Sequence, residues 1–190
     1  MRIPTERDIP HVFSATRFAG FNDGMPWDAP VSEDELRGPL QRSLEAWKEG
    51  RGYSFAIEAG GGPEFFGRIS IRKTPQPGTW NIGFWLHPEQ QGKGLMTEAA
   101  RAVVSLGFGR LEAEAIEACH AVWNTKSRRV LERLEMTEVE YLPEGFKKRG
   151  EWVPEYRMRI ERKAWKGPCD SPVPALASVK PPSGREPRDP

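Results

Sequence analysis

Several things are scarce in this chain, and each scarcity removes a class of function. Two cysteines in 190 residues, Cys119 and Cys169, are too few for a disulfide framework and too isolated for a zinc set. Cys119 lies inside an apolar strand pattern and is expected to be a buried, inert thiol. Net charge is nearly absent, with 28 Lys and Arg against 27 Asp and Glu, so no global field draws the chain to nucleic acid or to an anionic membrane. No apolar run reaches the roughly 20 residues of a membrane span, and the opening MRIPTERDIP has no signal core, so the expectation is a soluble cytoplasmic protein. The phosphate loop G-x-x-x-x-G-K-[ST] is missing, because Arg68-Ile69 follows the spaced pair Gly62 and Gly67. The dinucleotide fingerprint is incomplete, because Thr97 stands where its third glycine belongs. No internal repeat is present. The length suits one core of ordinary size, expected over residues 1–166. The Pro/Ser/Gly-rich remainder, 167–190, is expected to be a disordered tail.

The most informative stretch runs from Thr79 to Ala100. Ile82, Phe84 and Leu86 alternate with Gly83, Trp85 and His87 as in a strand, and Pro88 stops the ladder. Met96, Ala100, Val103, Gly107 and Leu111 then recur at helical steps. Between them lies Gln91-Gly92-Lys93-Gly94-Leu95-Met96. Two glycines, a helix N-terminus with unpaired N–H groups and the adjacent Lys93 make a phosphate cradle. The plainer alternative is a tight turn joining strand to helix.

Around this stretch the expected order is a short first strand, a helix capped by Asp8, and a turn-rich 20–30 carrying Met25 and Trp27. That first strand is either truncated or preceded by residues upstream. A capping box at Ser32-Glu33-Asp34-Glu35 opens a helix ending at Gly50. The strands at Tyr53–Glu58 and Phe65–Ile71 join through the turn at 60–63 and form a meander with the Trp80 strand. A strand at Ile116–Trp123 after the central helix implies a parallel neighbour by a right-handed crossover. Asn124 is a strong cap for a short helix. Glu138–Leu142 and Glu151–Ile160 close the fold around a loop at 143–150. The fold class is therefore α/β (α+β) with a mixed sheet.

Gln91-x-x-Gly94, followed by Leu95-Met96-Thr97-Glu98-Ala99, resembles the acetyl-CoA pyrophosphate loop of the GNAT acyltransferases, in particular the Rim-type ribosomal-protein N-terminal acetyltransferases. Asn124-x-x-Ser127, followed by Val130-Leu131-Glu132, resembles the segment after their fifth strand. The resemblance implies a mostly antiparallel sheet of six to seven strands with a splayed parallel pair and about four helices. It implies acetyl-CoA as the acetyl donor, held by Trp85, Leu86, His87, Gln91, Gly92, Lys93, Gly94, Leu95, Met96, Thr97, Asn124 and Ser127, with no metal. Trp27 is a candidate wall of the acceptor site. Two departures stand out. Glu135 occupies the place where the family's glycine relaxes a left-handed helix end, at about 1 kcal/mol for a non-glycine residue. The position of some relatives' catalytic glutamate falls on Phe146.

The implied chemistry is direct attack of an amine on the thioester, which needs a free-base amine, oxyanion donors and a proton for the thiolate. A backbone N–H near Trp85–Leu86 is the expected oxyanion donor, and Ser127 the expected proton donor unless it only serves its own helix. Glu144 is the expected base, with His87 and His120 as other options. An α-amine of pKa ~8 is about one-tenth free base at pH 7 and a lysine below about one in a thousand. A site without an obvious strong base thus suits a protein N-terminus, as in ribosomal proteins. Small-molecule amines, a non-catalytic acyl-CoA-binding module and a nucleotide-phosphate binder are the alternatives. The chain is expected to be a monomer or homodimer without nucleic-acid or membrane partners.

Overall fold

In the computed structural model of the chain, the described residues are 1–58 and 64–168. The turn expected at 60–63, Cys169 and nearly all of the expected tail lie outside them. Two helices, α1 (Ile9–Thr16) and α2 (Arg37–Lys48), precede strands β1 (Gly52–Glu58), β2 (Phe65–Lys73) and β3 (Thr79–Leu86). Helix α3 (Leu95–Gly109), β4 (Ala115–Ala121), α4 (Thr125–Arg133), β5 (Thr137–Lys148) and β6 (Glu151–Glu161) follow. They make one six-stranded sheet in the order β1-β2-β3-β4-β6-β5. Every neighbour is antiparallel except β3 and β4. The mixed sheet with its parallel pair is the expected one. The short first strand is a single antiparallel bridge between Arg2 and Ala56.

Strand alternation divides the apolar residues between two faces. Phe55, Ile69, Ile71, Ile82, Ile116, Met158 and Ile160 join Val103, Leu106 and Phe108 of α3 in the large core. Gly107 lets this helix settle deeply, since a Cβ there would lie 2.6 Å from Ile116 Cδ1 and 2.9 Å from Ile71 Cδ1. Ala56, flanked by Phe55 and Ile57 of the large core, faces the other way and packs with Val12 of α1, Phe65, Leu36 and Trp85. No described helix is long and apolar enough to cross a membrane.

Four local expectations are corrected. Asp8 does not cap α1; its carboxylate turns back to accept from Thr5 N–H (2.8 Å) and to pair with Arg2. At the second helix Ser32 makes no cap bond; Glu35 Oε2 accepts from Val31 N–H (3.0 Å), and a 3-10 turn at Glu33–Leu36 leads into α2. The loop expected at 143–150 is mostly strand, with a register shift between Leu142 and Phe146. A bulge there absorbs Pro143, which has no N–H to donate. Cys119 is exposed, because its neighbours Ala118 and His120 take the buried positions of the alternation.

The expected penalty at Glu135 is present, with φ at +62°. Glu135 N–H bonds Glu132 O (3.0 Å) and Met136 N–H bonds Leu131 O (3.2 Å), which is a Schellman ending of α4. Leu131, Leu134 and Met136, all buried, hold the left-handed turn closed from the core side.

Candidate active site

The parallel ladder between β3 and β4 is short: Thr79, Trp80 and Asn81 pair with Ala115, Ile116 and Glu117. At its end the Asn81 side chain, through Nδ2, donates to Glu117 O (3.3 Å). Beyond it, residues 82–86 have no ladder partner in β4. Main-chain direction in this gap follows from the flanking pairs. Thr79 O accepts from Thr74 N–H (3.1 Å) and His87 N–H donates to Phe66 O (2.7 Å). Odd-numbered residues of β3 therefore turn their N–H and C=O to β2, and Phe84 and Leu86 turn theirs into the gap. Of the expected pair Trp85–Leu86, Leu86 presents an N–H there, while Trp85 is bonded on the side of Arg68. His87, expected among the coenzyme contacts, has its N–H in use. Its ring is also engaged, by Ser14 Oγ (3.4 Å), Glu89 (3.6 Å) and the edge of Phe18.

The loop after β3 carries the cradle. Gly92 and Gly94 have φ of +82° and +78°, and a Cβ built on either would meet nothing within 4 Å. The protein does not require that emptiness for its own packing. The glycines keep left-handed backbone and leave open space before the first turn of α3, which has no side-chain cap. Its first main-chain bond is Glu98 N–H to Gly94 O (3.2 Å), so the preceding amides point outward. Met96 is buried and can offer only its backbone.

Gln91 ties three elements together: Nε2 donates to Leu86 O (3.4 Å), and Oε1 accepts from Lys126 Nζ of α4 (3.0 Å). Lys93 Nζ donates to Gln90 Oε1 (2.8 Å). Two ammonium groups thus flank the amides, and the residues present fit a diphosphate. Lys126 escaped the sequence reading because only the tertiary fold brings the first turn of α4 to this loop. Asn124 is a helix cap, accepting from Ser127 N–H through Oδ1 (3.1 Å). The half-buried Ser127 hydroxyl makes no hydrogen bond among the described residues.

On the face opposite the large core, the segment 17–31 covers one mouth of the gap. The rings of Trp27 and Phe21 lie 6.3 Å apart, and Phe21 meets Trp85 edge-on at 5.4 Å. A Cβ on Gly24 would come 3.0 Å from Asn124 Nδ2 and 3.2 Å from the Trp123 ring. Lys148 clamps the segment from the β5–β6 hairpin, donating to Trp27 O (2.7 Å) and Met25 O (3.3 Å) and pairing with Asp28 (3.0 Å). Nothing in the sequence around Lys148 signals that role. Glu144 stands exposed in the β5 bulge with no hydrogen bond or ion pair among the described residues.

A glycine cradle at a helix mouth thus stands beside a parallel ladder that ends early. The model of the acetyltransferase (GNAT) domain matches residues 1–137. The chain belongs to this GNAT family. The matched region is thus an acetyltransferase domain. YdaF of Bacillus subtilis, named an N-acetyltransferase, is 42% identical over 57 residues, which is 30% of this chain and 31% of YdaF. The curated relatives that it matches are spanned over 31% to 51% of their own length. Among solved structures, RimL, a ribosomal L7/L12 alpha-N-protein acetyltransferase in complex with coenzyme A, superposes with a TM-score of 0.76 at 19% identity, covering 84% of this chain and 92% of RimL. The spermidine N-acetyltransferase of Vibrio cholerae, in complex with CoA and spermine, gives 0.74 at 19% identity, covering 86% and 95%. At those identities the likeness is one of fold.

Proposed function

We propose that this GNAT acetyltransferase transfers the acetyl group of acetyl-CoA to the α-amine of a protein N-terminus, of the ribosomal-protein type, in a cytoplasmic setting. The amides before α3, with Lys93 and Lys126, hold the diphosphate. Leu86 N–H, facing the gap, receives the negative charge that develops on the acetyl oxygen, and Ser127 gives a proton to the departing sulfur. The acceptor enters from the mouth lined by Trp85, Phe21 and Trp27.

The observation that carries the choice of acceptor is the charge pairing on that face. Glu117 is bound by Arg159 (2.6 Å), Glu140 by Arg157 (2.7 Å) and Glu161 by Arg159 (2.7 Å). A polyamine brings several cations and needs several uncommitted carboxylates to replace their water. Glu117, Glu140 and Glu161 are committed to arginines; with Glu144 and Glu155 unpaired beside them among the described residues, an acceptor with one amine followed by a neutral chain is favoured.

Thiol release from acetyl-CoA should be measured with Ser- and Ala-initiated peptides and with spermidine. Turnover of the peptides with a kcat/KM at least tenfold above that of spermidine is expected. Preference for spermidine would overturn the choice, and tight CoA binding without turnover of any acceptor would make the protein an acyl-CoA-binding module.

A further inference from the structure

We infer that Glu155, and not Glu144, takes the proton from the acceptor amine. The inference rests on the transferase reading above and names a group that the sequence pattern did not single out. Glu155 lies opposite Ala121 in the β4–β6 ladder and opposite Leu142 in β5. Its strand neighbours Met158 and Ile160 are in the large core, so Glu155, Arg157 and Arg159 stand on the other face. That is also the face of Trp85, which packs in the smaller cluster with Val12. Ala121 ends β4, and its main chain borders the gap. Glu155 and Trp85 therefore flank the same mouth from opposite sides.

Two further observations distinguish this carboxylate. Among the described residues it makes no hydrogen bond or ion pair, whereas Glu117 and Glu140 on the same side of the sheet are held by arginines. It is also covered, because a Cβ on Gly145 in the β5 bulge would lie 2.5 Å from its Cγ and 2.8 Å from Oε2. The charged and titratable groups that act on it are Arg157 of its own strand and Cys119 of β4, and Arg157 in turn pairs with Glu140 of β5 and Glu117 of β4. Burial pushes the Glu155 carboxyl up, and Arg157 takes back part of that rise. Cys119 is exposed as a residue, but its sulfur lies against the sheet and the thiol is likewise pushed up, by desolvation first and then by the charge of Glu155. A base with raised proton affinity is better matched to an ammonium acid at neutral pH.

The proton count closes. Glu155 accepts one proton from the acceptor ammonium and frees the nitrogen lone pair. The N–C bond to the acetyl carbon forms and the C–S bond breaks. As the C–S bond breaks, Ser127 gives its hydroxyl proton to sulfur and the second nitrogen proton passes to the Ser127 oxygen, which restores the serine; Glu155 releases its proton to water before the next turnover.

Glu155→Gln and Glu144→Gln should be compared with wild type using acetyl-CoA and a Ser-initiated peptide, with kcat/KM followed against pH. In Glu155→Gln, kcat/KM for the peptide is expected to fall about 100-fold or more, with the acid limb of the profile lost and coenzyme A affinity unchanged. Activity within threefold of wild type, a retained acid limb, or loss of that limb in Glu144→Gln alone would each overturn the assignment. If wild type turns over neither the peptide nor spermidine, the acceptor reading fails and Glu155 is judged separately, by carbon-13 NMR of its carboxyl in the coenzyme A complex. A midpoint above the ordinary glutamate value of about 4.3 supports the role, and one at or below it removes the group as base.

Discussion

Gly94→Asp is the perturbation that bears most directly on the cradle. Its folding cost is small, because a Cβ at this position meets nothing within 4 Å and aspartate tolerates the left-handed backbone for about 1 kcal/mol. A cost of that size should lower Tm by roughly 2–4 °C in a domain of this size. The binding cost is much larger. A carboxylate about 5 Å from a diphosphate of two negative charges is repelled by about 1.7 kcal/mol in water-like dielectric and about 6.6 kcal/mol at an effective dielectric of 20. At about 1.4 kcal/mol per tenfold, the dissociation constant for coenzyme A should rise at least about 15-fold, and more where the site excludes water. Gly94→Asn takes up similar space and keeps the backbone tolerance without the charge, so the difference between the two variants isolates electrostatics. Isothermal titration with coenzyme A, beside circular dichroism to show that both variants fold, decides the matter. If both bind coenzyme A within threefold of wild type, the diphosphate does not sit on these amides and the reasoning about the cradle fails.

Three other outcomes follow from single contacts. Glu135→Gly should raise the urea midpoint by an amount equal to about 0.5–1 kcal/mol with an unchanged m-value, since relief of left-handed strain exceeds the added freedom of the unfolded chain. Lys148→Ala should cost about 1–2 kcal/mol, by leaving Trp27 O and Met25 O without their donor, and should speed proteolytic nicking within 20–30; an unchanged digestion rate would deny the clamp. Burial alone would push the Asp8 carboxyl up, but hydrogen bonds from Arg2 and from Thr5 N–H hold it below the usual carboxylate range. A depressed folded pKa gives stability that is present above the unfolded value of about 3.9 and lost as pH falls through the folded one. Asp8→Asn should therefore lose about 3 kcal/mol at pH 7, with the gap to wild type closing below about pH 4; a gap constant from pH 7 to pH 2 would rule out this pairing as its source.

Features set by short-range chemistry were readable along the chain. The alternation from Ile82 to Leu86, the glycines at 92 and 94, the Asn124 cap and the strain at Glu135 each depend on neighbours a few residues away, and each is found in place. Readings failed where a distant partner outcompeted the local one. Asp8 gave up its cap to bind Arg2, whose own position depends on the bridge to Ala56. Pro143 suggested a loop, but pairing of the hairpin with β4 carries the strand through it as a bulge. Cys119 was expected inside because every second residue of its strand is buried, and periodicity alone does not say which half.

The same distinction holds for function. The sequence by itself determined the family and the local form of the glycine cradle, because such a cradle is built from consecutive residues whose backbone angles and dipole are local properties. Tertiary structure alone decided the long-range contacts: that Lys126 reaches Gln91 at the cradle, that Lys148 pins Trp27, and that Glu155 stands on the face of Trp85 without an arginine of its own. Those residues come from segments far apart in the chain, and their meeting depends on which strands pair and in which register, to which no local pattern is sensitive.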